Sequence, residues 1–154
     1  MSEEQGALDL GLGVVESVWA LSLWQPWASL WASGEKMNET RGPRGRTTRR
    51  GRVLVHAAKR FDADVRAYCD MDPFKSCLAK HVDTLSEIPL GALVGEVNLV
   101  DCVRVETIRD SLSEQEEEFG DYSDGRFALV ADSWKLYDKP IPYRGMQGFF
   151  KVEI

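Results

Sequence analysis

Five apolar runs rich in β-branched and aromatic residues dominate the chain: VWALSL (18–23), RVLVHAA (52–58), GALVGEVNLVDCVRVE (91–106), RFALVAD (126–132) and GFFKVEI (148–154). Such runs read as strands. RVLVHAA alternates less than an edge strand would and is expected to be central. Residues 91–106 are long enough for a bent strand, with Gly95 a natural bulge or point of close approach. KMNETR (36–41) adds a shorter extended segment. Between the runs only short helices fit. QPW opens one, with Pro26 at an early position and Gly34 ending it. FDADVRAYCD and PFKSCLAKHV supply two more, broken at Asp72-Pro73, and LSEQEEEF gives a short acidic one. DKPIPYRG reads as a connection between the last two strands. No βαβ unit repeats. The expected class is therefore α+β, mainly β: a five- to six-stranded mixed barrel with inserted helices, one of them plugging an end.

The chain's 154 residues suit one domain with a real core. Residues 1–17 mix Gly, Glu, Asp and Leu without a sustained period and are expected to form a flexible arm, leaving 18–154 as the domain. The N-terminus begins acidic and holds no Lys or Arg, so a leader peptide is not expected and a cytoplasmic location is. No apolar run is long enough to span a bilayer. Cys69, Cys77 and Cys102, with His56 and His81, match no zinc spacing, so neither a metal nor another cofactor is expected.

Residues 34–52, GEKMNETRGPRGRTTRRGR, stand out in a chain of net charge −6. The overall acidity opposes generic polyanion binding at long range but leaves room for a local basic groove. Arg44, Arg46, Arg49 and Arg50, spaced by Gly, Pro and Thr, are suited to phosphate, and no acid occurs from residue 40 to 61. The alternative is a solvated loop that offsets nearby acids.

Several features in order carry a family resemblance: QPWA at the first helix, the G-x-K-x-x-E-x-R run of Gly34, Lys36, Glu39 and Arg41, the strand Gly51–Ala57, GALVGEV (91–97), and the closing Pro142, Gly145, Gln147 and Gly148. Together they resemble the ASCH family, whose members share a β-barrel related to the PUA domain, and within it a small single-domain bacterial or phage-type member. The resemblance runs from about Trp19 to the C-terminus. It implies a cleft beside the first helix that accepts RNA, other single-stranded nucleic acid, a nucleotide or a modified base. Some bacterial relatives are amidohydrolases on acylated cytosine nucleosides, others are associated with ribonuclease activity, and larger eukaryotic relatives with nucleic-acid binding.

In a regular strand Lys36 and Glu39 would point to opposite faces, so a shared site requires a turn or bulge just after Gly34. Glu39 and Arg41 on one face make a natural ion pair. At a cleft, Lys36 and Glu39 are the candidate catalytic groups, with the lysine as base or anion holder and the glutamate as acid/base partner or acceptor from an exocyclic amine. The alternative is an ion pair that orders the rim. The amidohydrolase relatives carry a nucleophilic threonine three residues after the lysine. Here that position is Glu39, and Thr40 is displaced by one. The resemblance implies a counterpart of the relatives' catalytic glutamate among Glu114, Glu116, Glu117 and Glu118, without singling one out.

Trp24 and Gln25 are further binding candidates, with Trp24 expected to present a partly open ring. Trp27 and Trp31, four apart, are expected to be mainly buried. His56 reads as a hydrogen-bonded core histidine. Arg144 and Gln147, among glycines, reach the cleft or pack against the barrel end. Because no nucleophile and base are both placed, a binding module is favoured over a hydrolase. A protein-interaction domain with a vestigial cleft is the third reading.

Overall fold

The computed structural model describes residues 16–154. In chain order it contains β1 (Ser17–Leu23), α1 (Trp27–Ser33), β2 (Asn38–Arg41), β3 (Gly51–Ala57), α2 (Ala63–Tyr68), α3 (Phe74–Leu78), β4 (Ala92–Arg104), α4 (Val105–Ile108), α5 (Glu114–Phe119), β5 (Phe127–Pro142) and β6 (Phe149–Glu153). The six strands form one mixed sheet in the order β2-β5-β4-β3-β1-β6. β1 and β3 run parallel and every other pair is antiparallel. The sheet curls into a half-barrel, the mainly β architecture expected. RVLVHAA is central, as its pattern implies. Most of the expected arm lies outside the described residues, but its last two residues do not. Ser17 already pairs with Glu153, and Glu16 exchanges both backbone hydrogen bonds with Ile154.

Helix α1 fills the concave face. A seven-residue helix is too short to be stable alone, so packing must hold it. Its Ala28, Trp31 and Ala32 lie among Leu21, Val55, Val97 and Leu129 of the curled sheet, and Trp31 is fully buried. Fully burying each such aliphatic side chain contributes about 1.5–3 kcal/mol relative to exposure. The helix approaches β4 where Gly95 sits. A Cβ there would stand 2.7 Å from that of Ala32 and collide with the Lys135 carbonyl. The strand register also shifts at Gly95, so both roles expected of this glycine are present.

One reading is corrected. DKPIP does not connect two strands, because β5 runs through it to Pro142. Gly95 pairs with Leu136 and Leu93 with Ile141, so three more residues lie on β5 than on β4 between these pairs. Pro140 falls within that bulge, where the ladder asks for no N–H donor.

A second apolar cluster joins α2, α3 and α5 below α1 through Cys69, Phe74, Leu78 and Phe119. Cys69 and Cys77 are buried free thiols, and burial raises both above the ordinary thiol range. Among the described residues no helix is long and apolar enough to cross a membrane.

Candidate functional site

The irregularity needed after Gly34 is present. Gly34 ends α1 in the left-handed conformation, and the Lys36 N–H returns to the Leu30 carbonyl at 2.9 Å. Regular pairing of β2 begins only at Asn38. The turn brings Lys36 Nζ to 2.6 Å from Glu39 Oε1, with the ammonium 5.5 Å from the Trp31 ring centre. Arg41 stands on the other side of the carboxylate, its NH1 3.6 Å from Oε2. Glu39 is thus flanked by two cations, one beneath it and one at the rim. Lys36 is only 1% exposed, so it meets the cleft through Glu39 rather than directly.

A second carboxylate holds this segment in place. Glu116 is buried on α5 and accepts from the backbone N–H of Met37 (2.8 Å) and Asn38 (3.1 Å), and from the Tyr122 hydroxyl (3.2 Å). Burial and the adjoining Glu116 push the Tyr122 phenol up, keeping it a donor. Of the four candidate glutamates, Glu116 anchors the start of β2, and Glu118 lines the cleft. Ser113 caps α5 by accepting from the Glu116 backbone N–H, which fixes the start of the helix that carries this carboxylate.

Two adjoining clefts open at this end of the sheet and share Ser22, Trp24 and Arg41. The first, about 460 Å³, has aromatic walls from Trp27, Tyr68 and Phe119 and carboxylates from Glu39, Glu118 and Asp121. The second, about 740 Å³, is lined by Arg41, Lys59, Arg144, His56 and Gln147, with Gly91, Gly145 and Gly148 at its walls. Among the described residues no carboxylate lines it. Both volumes lie in the range of small-ligand sites. The indole of Trp24 stands between them, 45% exposed, with the Arg60 guanidinium 4.0 Å from its ring centre.

The candidates from the sequence therefore separate. Trp24, Glu39, Arg41, Arg144 and Gln147 are brought together, with Lys36 underneath. Gln25 is not at the surface. It is fully buried, donates to Ser29 Oγ and the Pro89 carbonyl, and accepts from the Ser29 N–H, so it braces the entry to α1. Trp27 is half-buried and forms a cleft wall instead of lying wholly in the core.

The arginine segment leaves the cleft after Arg41 and returns at Gly51, the end of β3 remote from His56. Arg49 stacks on Trp19 at 3.4 Å and lies 5.2 Å from the Phe149 ring. Arg50 donates to the Thr47 and Arg49 carbonyls and stands 3.6 Å from Asp101. Arg46 is exposed, and none of these three lines either cleft. Sequence reasoning missed Ser22, Lys59, Arg126 and Asp121. Ser22 is the penultimate residue of β1 and Lys59 follows β3 by two residues, the only signal available for them.

The ASCH domain family model matches residues 21–142, and the chain belongs to this family. It is 26% identical over 135 residues to activating signal cointegrator 1 of Homo sapiens and equally to that of Mus musculus, covering 88% of this chain. The chain spans 22% of the length of these curated relatives. The crystal structure of ASCH from Zymomonas mobilis superposes with a TM-score of 0.53 at 17% identity, covering 87% of this chain and 86% of that one. A mutant form of the same protein gives 0.53, 17%, 87% and 88%. The likeness to these structures is one of fold.

Proposed function

We propose that this ASCH domain binds single-stranded RNA or a nucleotide across the two adjoining clefts, with a base in the first and phosphate in the second. The observation that supports this reading is the chemical division of one groove. On one side of Trp24, flat aromatic surfaces stand beside carboxylates that accept from the exocyclic amine of a base. On the other side, Lys59 and Arg144 join the shared Arg41 with no carboxylate among the described lining residues, an environment suited to phosphate. The net charge of −6 opposes approach at long range, so binding is selective and salt-sensitive. In this reading Lys36 holds Glu39 in position and does not touch the ligand, whereas Glu39, Arg41, Trp24, Arg144 and Gln147 do.

The test is fluorescence anisotropy with a short labelled single-stranded RNA over a salt series, with cytidine and adenosine monophosphates as competitors. Lys59→Ala and Arg144→Ala are expected to weaken binding, each lowering the salt slope by about one. Trp24→Ala is expected to weaken it by about 1–3 kcal/mol without changing the slope. Failure of RNA and nucleotides to bind, or indifference to all three substitutions, overturns the proposal.

A further inference from the structure

Ser22 and His56 are register partners across the parallel β1–β3 pair, and their side chains meet on the cleft floor with Ser22 Oγ 3.0 Å from His56 Nδ1. His56 Nε2 lies 2.7 Å from the Tyr143 carbonyl oxygen. A carbonyl can only accept, so Nε2 carries the ring proton and Nδ1 keeps its lone pair for the Ser22 hydroxyl. His56 is 2% exposed, and burial, outweighing the hydrogen bond to Tyr143, lowers its pKa below the usual 6.5, which keeps it a neutral base. Gly145 presses on the same ring. A Cβ there would collide with Cε1 and stand 2.6 Å from Nδ1. The segment after β5 therefore holds the imidazole both by a hydrogen bond and by contact. Ser22 itself is half-buried and lines both clefts where they join.

A hydroxyl that opens on a cleft, a base in hydrogen-bond reach and a third group orienting that base make up an activated nucleophile. We propose that Ser22 and His56 are such a pair, and that they cleave acyl phosphates, the mixed anhydrides of a carboxylic acid and a phosphate. Ser22 Oγ attacks the acyl carbon while its proton passes to His56 Nδ1. The bond from the acyl carbon to the bridging oxygen then breaks, and the phosphate leaves with both electrons of that bond and takes the proton from Nδ1. Water next attacks the seryl ester and gives a proton to Nδ1, and the carboxylic acid departs as Ser22 Oγ is reprotonated.

The substrate class follows from two features. The orienting group is a carbonyl and, among the described residues, no carboxylate lines the second cleft, so within that cleft the transient imidazolium meets Arg41, Lys59 and Arg144 and no counter-charge. Such a base acts on an activated acyl group whose leaving group needs no more than the one proton that Nδ1 returns to it. Those three cations also suit a phosphate leaving group and stabilise the charge it acquires.

The experiment incubates the protein with acetyl phosphate and, separately, with p-nitrophenyl acetate as a leaving group without phosphate. Turnover and the mass of the protein are followed for wild type, Ser22→Ala, Ser22→Cys and His56→Gln, each checked for folding by circular dichroism. Both substrates are expected to be consumed, with an acetyl group on Ser22 of the wild type and on the cysteine of Ser22→Cys. Ser22→Ala is expected to lose the adduct and roughly 100-fold or more of the rate. Lys59→Ala is expected to raise KM for acetyl phosphate and leave that for p-nitrophenyl acetate unchanged. No adduct at position 22 in either wild type or Ser22→Cys, or a rate undiminished in folded Ser22→Ala, overturns the proposal.

Discussion

Lys36 Nζ lies 2.6 Å from Glu39 Oε1 in a pair whose two members are unequally hidden, the lysine 1% exposed and the glutamate side chain 12%. The inequality makes the two deletions differ. Lys36→Met removes the deeper charge and leaves Glu39 with Arg41 and some water. Glu39→Ala leaves an ammonium with no other hydrogen-bond partner among the described residues. Breaking a buried pair by removing one partner costs about 3–5 kcal/mol. Lys36→Met is expected at or below the low end and Glu39→Ala at the high end, with the double variant recovering part of the loss. Urea unfolding midpoints of the three variants check this ordering.

Glu116 governs the same segment from outside the cleft. Glu116→Ala leaves the Met37 and Asn38 N–H groups without their carboxylate and is expected to cost about 2–4 kcal/mol. Glu114 and Glu117 are exposed on the same helix, and their alanine variants are expected within about 1 kcal/mol of wild type. Thermal unfolding of the three variants distinguishes the anchor from its neighbours. Equal effects would remove the distinction.

The strands were legible because β-branched runs declare themselves locally, and the turn after Gly34 because Lys36 and Glu39 could not otherwise share a site. What stayed hidden depends on partners far apart in the chain. Nothing near Ser22 announces His56, 34 residues on, until β1 and β3 pair in parallel register. The arginines read as a free phosphate lip because charge is visible in sequence, whereas the Trp19 face that holds Arg49 is supplied by another strand. DKPIP read as a connection because a bulge, which removes the demand for the Pro140 N–H, is a property of two strands together.

The placement of the arginines yields a contrast between two pairs of basic residues. Lys59→Ala and Arg144→Ala, at the second cleft, are expected to weaken RNA binding and flatten its salt dependence. Arg49→Ala is expected instead to lower stability by about 0.5–2 kcal/mol through loss of its stack on Trp19, with the salt slope unchanged. Arg50→Ala, whose guanidinium is satisfied by backbone carbonyls and Asp101, is expected to leave the slope unchanged as well. Anisotropy titrations at several salt concentrations, paired with melting curves, read both effects. A flatter slope in Arg49→Ala and Arg50→Ala but not in Lys59→Ala and Arg144→Ala would return phosphate binding to the arginine segment.

His56 adds a pH dependence of known sign. Burial depresses its pKa below 6.5 in the folded protein, and it faces Ser22 from β1, the Tyr143 carbonyl after β5, and a cleft lined by Arg41, Lys59 and Arg144. The Tyr143 carbonyl, accepting from Nε2–H, favours the imidazolium, but burial is the larger effect and outweighs it. As pH falls through 6.5 the unfolded chain binds a proton that the folded one does not, so stability declines until the lower folded pKa is passed. Within that window the slope from this one group is at most about 1.4 kcal/mol per pH unit. Urea unfolding from pH 7.5 to 5 is expected to show this decline in wild type and a shallower one in His56→Gln, because glutamine does not titrate. Parallel curves for the two proteins would mean that His56 titrates alike folded and unfolded, and that its burial is not felt by the ring.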